Sequence, residues 1–407
     1  MVKGFFVSCL YAIFLSVGAA GMTWQEILKI SEQNSADIKS AEKELQSSQW
    51  TYYKSYSNFL PQVSANMSTS QSLYPSNTTR SYSYGISATQ YLFRGFSNYF
   101  NMQLAYLGYL YDSVGLENAK SSFFYNLRSA FIAMLTAQEN IEVQKKILKS
   151  RRDNSRMITL LYDSGKEDKG NYLRTLAQLK DAEYSLSSAS RDYSLAKFKL
   201  FQLAGVDVAT VEESFTVKAE NNLDLESLVI SSPAFLMVKY QLEMSEINYK
   251  STIGEFLPSI SLSGNYLKSD TEWPPQNSNK SLKLSLSYPF FPGGSNIADA
   301  VVNASNYDKA KEDFAKTKRD LVYSIKNAHE SLKDALESYT VQKIFLNAAM
   351  ERSKISQAQY LNGLITYDEW DRIQTEYVSY QRSVLSARRS ALLAQAALFN
   401  LYGGHVK

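Results

Sequence analysis

The chain repeats itself. Phe59-Leu60-Pro61-Gln62-Val63-Ser64 returns as Phe256-Leu257-Pro258-Ser259-Ile260-Ser261, and Phe93-Arg94-Gly95-Phe96-Ser97-Asn98 as Phe291-Pro292-Gly293-Gly294-Ser295-Asn296. Tyr162-Asp163-Ser164-Gly165 is echoed by Tyr360-Leu361-Asn362-Gly363, and Leu203-Ala204-Gly205 by Leu401-Tyr402-Gly403. The last three pairs share one offset of 198 residues, and the first is off by one. Solenoid units run roughly 20–50 residues, so this is a duplicated, domain-sized half. Such a chain folds with internal pseudo-symmetry, and a shared function belongs where the halves meet.

The prolines show where the chain changes character. All eight lie at positions 61, 75, 233, 258, 274, 275, 289 and 292, leaving 76–232 and 293–407 free of them. Proline breaks helix interiors, so these two tracts have room for very long helices. Between them the rhythm is alternation. Val63, Ala65, Met67, Thr69 and Leu73 alternate with Ser64, Asn66, Ser68, Ser70 and Ser72. Tyr82, Tyr84, Ile86 and Ala88 alternate with Ser83, Gly85, Ser87 and Thr89. The second half repeats this with Ile260, Leu262 and Tyr266, then Leu282, Leu284, Leu286 and Tyr288. Period two with one apolar face means strands, here about 62–74, 81–92, 259–268 and 280–289. A soluble hairpin on a core and a membrane-barrel hairpin both fit alternation. Tyrosine-rich apolar faces opposite small polar ones favour the barrel.

The helical tracts carry a 3.5-residue seam. Leu179, Ala182, Leu186, Ala189, Tyr193, Ala196, Leu200 and Leu203 align under the offset with Tyr377, Tyr380, Val384, Ala387, Ala391, Ala394, Leu398 and Leu401, preceded by Ile373. That spacing imposes a left-handed supercoil. The stretch from about 97 to 161 reads as one helix or a stacked pair, reaching on the order of 100 Å. Each half therefore reads helix, strand, strand, long helix, turn, long helix.

Composition removes several function classes. A net charge of +3 gives no electrostatic case for nucleic acid. The two histidines, His329 and His405, leave little for metal or triad chemistry, and His329 reads as a structural mid-helix residue. No phosphate loop, nucleophile elbow, zinc-protease or dinucleotide motif occurs, so no catalytic residue, cofactor or metal site is expected. Residues 1–21 read as a secretory signal: Lys3, an apolar run from Phe5 to Val17, then Gly18-Ala19-Ala20-Gly21. A membrane anchor is the other reading, but the run falls short of the ~20 residues that a spanning helix needs. The only cysteine, Cys9, lies in this segment, so a mature chain would hold no disulfide.

Four strands cannot close a barrel, and an open sheet edge is not tolerated in lipid. Three chains pooling their strands would give twelve, within the range of membrane barrels. On these features the chain resembles the TolC-like outer membrane efflux proteins along essentially its whole mature length. The resemblance rests on Phe-Leu-Pro entering the first strand of each half and Phe-x-Gly-x-Ser-Asn leaving the second. Tyr-x-x-Gly at each helix turn and the ending Leu398-Phe399-Asn400-Leu401-Tyr402-Gly403-Gly404 add to it. It implies a mixed α/β membrane protein whose long antiparallel coiled-coil helices form an α-barrel. Four strands per chain would contribute to a trimeric 12-stranded β-barrel.

Its implied role is an exit duct of a tripartite efflux or type I secretion system. The implied partners are two further copies, a periplasmic adaptor, an inner-membrane transporter and outer-membrane lipid. A structural or adhesive coiled-coil protein of the envelope is the competing reading. The expected organisation is a signal at 1–21, halves at 22–205 and 226–404, a linker at 206–225 and a tail at 405–407.

The resemblance also assigns roles to positions. The turns Ser164-Gly165-Lys166 and Asn362-Gly363-Leu364 would dock the adaptor, and would otherwise be plain helix stops. Tyr162 and Tyr360 are candidate helix latches, or else packed aromatics. Pro61, Pro258, Gly95 and Gly293 mark helix–strand junctions. Family members carry an inward-facing acidic ring near the closed entrance, and Glu369 falls on one of its positions. The next expected acid is Arg372 here, and the first-half counterpart of Glu369 is Asn171. Asp368 and Asp371 are the remaining candidates for such a constriction. A solvated first helical turn, which favours acids, explains these carboxylates equally well. The basic run Lys145, Lys146, Lys149, Arg151, Arg152 and Arg156 reads as a solvated face, with contact to an acidic adaptor as the alternative.

Overall fold

The computed structural model describes residues 21–74, 77–219 and 223–404. The signal-like segment up to residue 20 with Cys9, the turn residue Pro75, and the tail with His405 lie outside these residues.

β1 (Met22–Thr23) leads into α1 (Trp24–Asn34) and α2 (Ala36–Ser55). Thr23 and Glu26 form a reciprocal capping box that starts α1. A 3-10 turn, Tyr56–Phe59, passes the chain to β2 (Gln62–Tyr74) and β3 (Asn77–Arg94). Then come α3 (Ser97–Asp163) and α4 (Lys169–Ala204). The linker carries β4 (Val211–Glu212), and α5 (Leu225–Ser231) opens the second half where α1 opens the first. The second half repeats the plan: α6 (Pro233–Ser251), a 3-10 turn at Thr252–Phe256, β5 (Ser259–Asp270), β6 (Asn277–Ser287), α7 (Ser295–Leu361) and α8 (Tyr367–Leu401).

The stretch that read as one helix or two is one. α3 and α7 are each 67 residues long and unbroken, about 100 Å at 1.5 Å per residue. Each pairs with the helix that follows it, α3 with α4 and α7 with α8, and α3 also packs on α8. None of the seam residues read from the 3.5-residue spacing is exposed. Among the described residues no helix is long and apolar enough to cross a membrane.

The four long strands form one antiparallel sheet in the order β2-β3-β5-β6. Register places Val63 opposite Ala88, Ala65 opposite Ile86, and Met67 opposite Tyr84. It continues with Ile86 opposite Tyr266 and Leu262 opposite Leu284. One face is therefore apolar across all four strands. The other is hydroxylated, with Ser64 bonded to Ser87 at 2.7 Å and Ser68 to Ser83 at 2.8 Å. The apolar face has no cover within the chain, and Leu282 is 78 % exposed. β6 stops at Ser287, before Pro289, whose missing N–H cannot join a ladder.

A small parallel pair, β1 with β4, joins Met22 to Val211 and leaves no mark in the sequence pattern. It sits on the main core, where Trp24, Ile27, Phe123, Leu127, Phe131 and Met134 pack around the middle of α3. Burying side chains such as Leu127 and Phe131 contributes about 1.5–3 kcal/mol each. A second cluster holds α5 and α6 against α7 and α8 through Val229, Phe235, Leu321, Ile325 and Leu398. His329 is buried on α7 beside this cluster. A third, smaller core lies at the far end of the long helices.

Candidate functional site

Both helix tips end in the same motif. α3 closes with Gly165 at φ +73°, Gly165 N–H donating to Tyr162 O at 3.0 Å and Lys166 N–H to Leu161 O at 2.8 Å. α7 closes with Gly363 at φ +71°, through Gly363 to Tyr360 at 3.0 Å and Leu364 to Gln359 at 2.9 Å. These are Schellman caps, in which glycine takes the left-handed position at no steric cost. Nothing lies within 4 Å of where a Cβ would stand on either glycine. Ser164, Lys166, Asn362 and Leu364 around them are open to the surroundings or nearly so.

The helices that leave the turns begin differently. Asp168 caps α4, accepting Asn171 N–H at 3.0 Å, and the Asn171 amide also donates to Glu167 at 2.8 Å and Asp168 at 2.7 Å. Thr366 caps α8, accepting Glu369 N–H at 3.3 Å. Asp368 and Glu369 occupy the first turn of α8, where the helix dipole favours acids. Both are exposed.

Asp371, the third candidate for an entrance ring, is placed otherwise. It is 1 % exposed and held between three helices. Arg151 of α3 reaches it at 3.3 Å, Arg174 of α4 at 2.9 Å, and Gln178 of α4 donates to both its oxygens at 2.9 and 3.0 Å. Arg151 likewise leaves the basic run: it is buried, donating also to Gln178 at 3.0 Å and Thr375 at 3.1 Å, while Lys145, Lys146, Lys149, Arg152 and Arg156 stay exposed.

Around this ion cluster lies the third core: Ile158, Tyr367 and Trp370, with Tyr172, Tyr360 and Ile365 packed against them. Tyr360 stacks on Trp370 with ring centroids 5.0 Å apart, and its hydroxyl donates to Glu167 in the opposite turn. Burial, and then the Glu167 carboxylate, hold the Tyr360 phenol well above its ordinary pKa. Tyr367 hydrogen-bonds Thr175 of α4 at 2.7 Å, and burial raises its pKa too. Tyr162 stacks on Tyr172 at 4.8 Å within its own hairpin. Tyr360 thus bridges the two hairpins, whereas Tyr162 packs inside one.

Arg174, Thr175, Gln178 and Trp370 carry no motif that singles them out in the sequence. A signal was present in the repeat. Under the 198-residue offset, Arg151 answers to Ala349 and Asp371 to Leu173. Two positions that carry opposite charges, one in each half, have uncharged counterparts in the other half.

At the other end of the rods, the strand junctions repeat closely. Leu60 and Leu257, each before a proline, have φ/ψ of −110°/153° and −111°/153°. Pro61 and Pro258 therefore stand where a 3-10 turn becomes a strand. Gly95 at φ +55° lets β3 leave past the turn before β5, and a Cβ on it would fall 2.3 Å from Gly254 O. A Cβ on Gly254 would fall 2.2 Å from Gly95 O, so both positions need glycine. Gly293, at φ +68°, has no such neighbour in the chain.

The sequence profile of the family described as Outer membrane efflux protein matches residues 27–206 and again 225–404. A curated relative, outer membrane efflux protein BepC of Brucella suis, is 21% identical over 364 residues, covering 85% of this chain and 78% of its own. The open-state MtrE outer membrane channel of Neisseria gonorrhoeae superposes with a TM-score of 0.82 at 18% identity, over 94% of this chain and 89% of that one. The outer membrane protein VceC of Vibrio cholerae gives 0.82 at 16%, over 94% and 96%.

Proposed function

The chain belongs to the outer membrane efflux protein family and is an outer-membrane exit channel, and from that premise we propose how it is assembled and where it is held shut. Three copies pool their four strands into one twelve-stranded barrel, and their long helices continue it as a tunnel into the periplasm. The observation that carries this is the sheet itself. It has an uncovered apolar face, a hydroxylated reverse face and two open edges, β2 and β6. An open edge in lipid leaves backbone groups unpaired at several kcal/mol each. A structural rod has no use for such a sheet.

The helix tips form the periplasmic entrance. The turns Ser164-Gly165-Lys166 and Asn362-Gly363-Leu364 are the docking points for a periplasmic adaptor, which links the channel to an inner-membrane transporter. Tyr360, Glu167, Arg151, Arg174 and Asp371 bolt the two hairpins of each chain together in the closed state. Asp368 and Glu369, exposed beside the bolt, are the carboxylates available to line the constriction, while Asn171 is occupied by its own cap. Pro61, Pro258, Gly95 and Gly293 convert rod into barrel.

Conductance in planar bilayers tests the reading. Discrete steps from a particle with the mass of three chains are expected, and Tyr360→Phe should lengthen the open times. A particle of that mass with no conductance, before or after that change, would sink the channel assembly proposed here.

A further inference from the structure

The charges on the sheet sit on the unexpected face. Above Arg94 at the strand base, the hydroxylated face carries one charged residue, Lys283. The apolar face carries more, all toward the strand ends farthest from the helices. Register puts Lys280 opposite Tyr266, Lys268 opposite Tyr84 and Ser278, and Arg80 further out, opposite Gln71. Lys268 and Lys280 are thus diagonal neighbours, about 7–8 Å apart, close enough for like charges to repel. Among the described residues none of these three cations has a carboxylate within ion-pair reach. Asp270, on the same face, is taken up by the loop that follows it. It accepts from Thr271 N–H at 2.8 Å, Gln276 N–H at 3.4 Å and the Asn277 side-chain amide at 3.1 Å. Glu272, the other acid of that loop, is exposed.

The setting is aromatic. Lys280 Nζ lies 5.6 Å from the centre of the Tyr266 ring, and Trp273 packs against Tyr82 and Tyr84, each at 6.1 Å. Tyrosine and tryptophan join an apolar body to a polar tip, which suits the boundary between hydrocarbon and headgroup. Lys268 stands eight residues beyond Ile260, about 26 Å along a strand and about 20 Å along the bilayer normal at the usual tilt. The apolar band of such a barrel is about 25 Å tall, and a lysine stem carries its ammonium beyond its own backbone. The ammonium groups therefore emerge at the level of the outer headgroups.

We propose that Lys268 and Lys280, framed by Tyr84, Tyr266 and Trp273, bind the phosphate of a glycolipid in the outer leaflet. This rests on the reading above that the apolar face meets lipid. Two ammonium groups at this spacing can share one phosphate, whose charge removes their repulsion. The tyrosine hydroxyls and the Trp273 indole N–H supply further donors to the headgroup. An acidic protein would be drawn by the same cations. However, Ile86, Leu282 and Leu284 continue the face straight down from the site, uncovered, and a lipid carries phosphate and acyl chains in that order. The site occurs once per chain. The first-half counterparts of Lys268 and Lys280 are Gln71 and Tyr82, both uncharged, so the repeated fold does not itself call for lysine there.

Intact channel particles, extracted from outer membranes and moved into phosphatidylcholine vesicles doped with bisphosphorylated lipid A, test the site. The readout is lipid A recovered with the particle, counted by its hydroxylated fatty acids. Lys268→Gln and Lys280→Gln, made separately, should each lower recovery about fivefold, the contribution of one cation near an anionic headgroup. Lys268→Arg should retain it, and Lys283→Gln, on the hydroxylated face, should match wild type. Lipid A stripped of its phosphates should be recovered no better than phosphatidylcholine, and inorganic phosphate at the same concentration should not compete. Undiminished recovery by both glutamine variants, or equal recovery of the phosphate-free form, overturns the phosphate site and leaves the lipid-facing reading standing. Competition by inorganic phosphate overturns the lipid as the occupant. A loss caused by Lys283→Gln alone would mean that the two faces are reversed, which overturns the lipid-facing reading as well.

Discussion

The sheet and the helix tips lie at opposite ends of the same rods and are completed in opposite ways. The sheet leaves its apolar face and both edges unsatisfied within one chain, and only lipid and further copies supply what it lacks. The tip is finished internally, with an ion cluster, a tyrosine bridge and a small aromatic core joining two hairpins of one chain. The sheet's completion is spread over a whole apolar face, whereas the tip's rests on a countable set of bonds, which is the arrangement the proposed opening at the tip calls for.

The largest expected effect lies in the bolt. Asp371→Ala leaves Arg151 buried without its carboxylate, and breaking a buried pair this way costs about 3–5 kcal/mol. Bilayer recordings should show a markedly larger or longer-lived open state with trimers intact. If the entrance is unmoved, the tip is not held by this cluster and the contrast with the sheet fails. The companion change Arg151→Met with Asp371→Leu should cost less than Asp371→Ala alone.

Next comes the sheet. Leu284→Lys places a charge on the apolar face, at about 2–4 kcal/mol near the bilayer midplane. The amount of trimer recovered from outer membranes should fall while the helical signal of the refolded chain persists. Ser87→Lys on the hydroxylated face should be tolerated. Equal losses from both would mean that the two faces are not lipid and lumen.

Gly165→Val or Gly363→Val imposes a left-handed conformation on a branched residue, at roughly 1–2 kcal/mol. Trimers should form and efflux should be lost, measured as drug or dye retention in cells. The smallest effect is Tyr360→Phe, about 1 kcal/mol for one hydrogen bond. The raised phenol pKa sharpens this test. The folded chain keeps the Tyr360 proton where an unfolded chain would lose it. The contribution of the Tyr360 phenol is therefore fully present below the ordinary tyrosine value near 10 and is lost as pH climbs above it toward the raised value. Ultraviolet titrations of folded wild type and Tyr360→Phe should coincide through the ordinary tyrosine range near 10 and separate only well above it.

Much of this was legible in the sequence. Alternation located the four strands, because residues such as Ile260, Leu262, Leu284 and Leu286 obey a local period. The 3.5-residue seam located the inner faces of α4 and α8 for the same reason. The tip turns were readable from Gly165 and Gly363, since a left-handed cap requires glycine locally. The pairing of Arg151 with Asp371 was not legible because it joins residues 220 positions apart, and neither periodicity nor composition carries that information. Arg151 resembled its exposed neighbours in a basic run, and Asp371 resembled the acids beside it. The β1–β4 pair was invisible because two residues are too few to show a rhythm.

The equal length of α3 and α7 constrains how such a chain can change over time. Each residue added to a helix lifts its tip by 1.5 Å and turns it by about 100°. An insertion in α3 alone would raise one turn above the other, rotate Arg151 away from Asp371 and carry Glu167 out of reach of Tyr360. Lengthening the rods to suit a deeper periplasm would thus require matched changes in both halves and in the returning helices, in steps near seven residues. Variation in rod length among such channels should come in paired heptads, and a single unpaired insertion should be found only outside the rods.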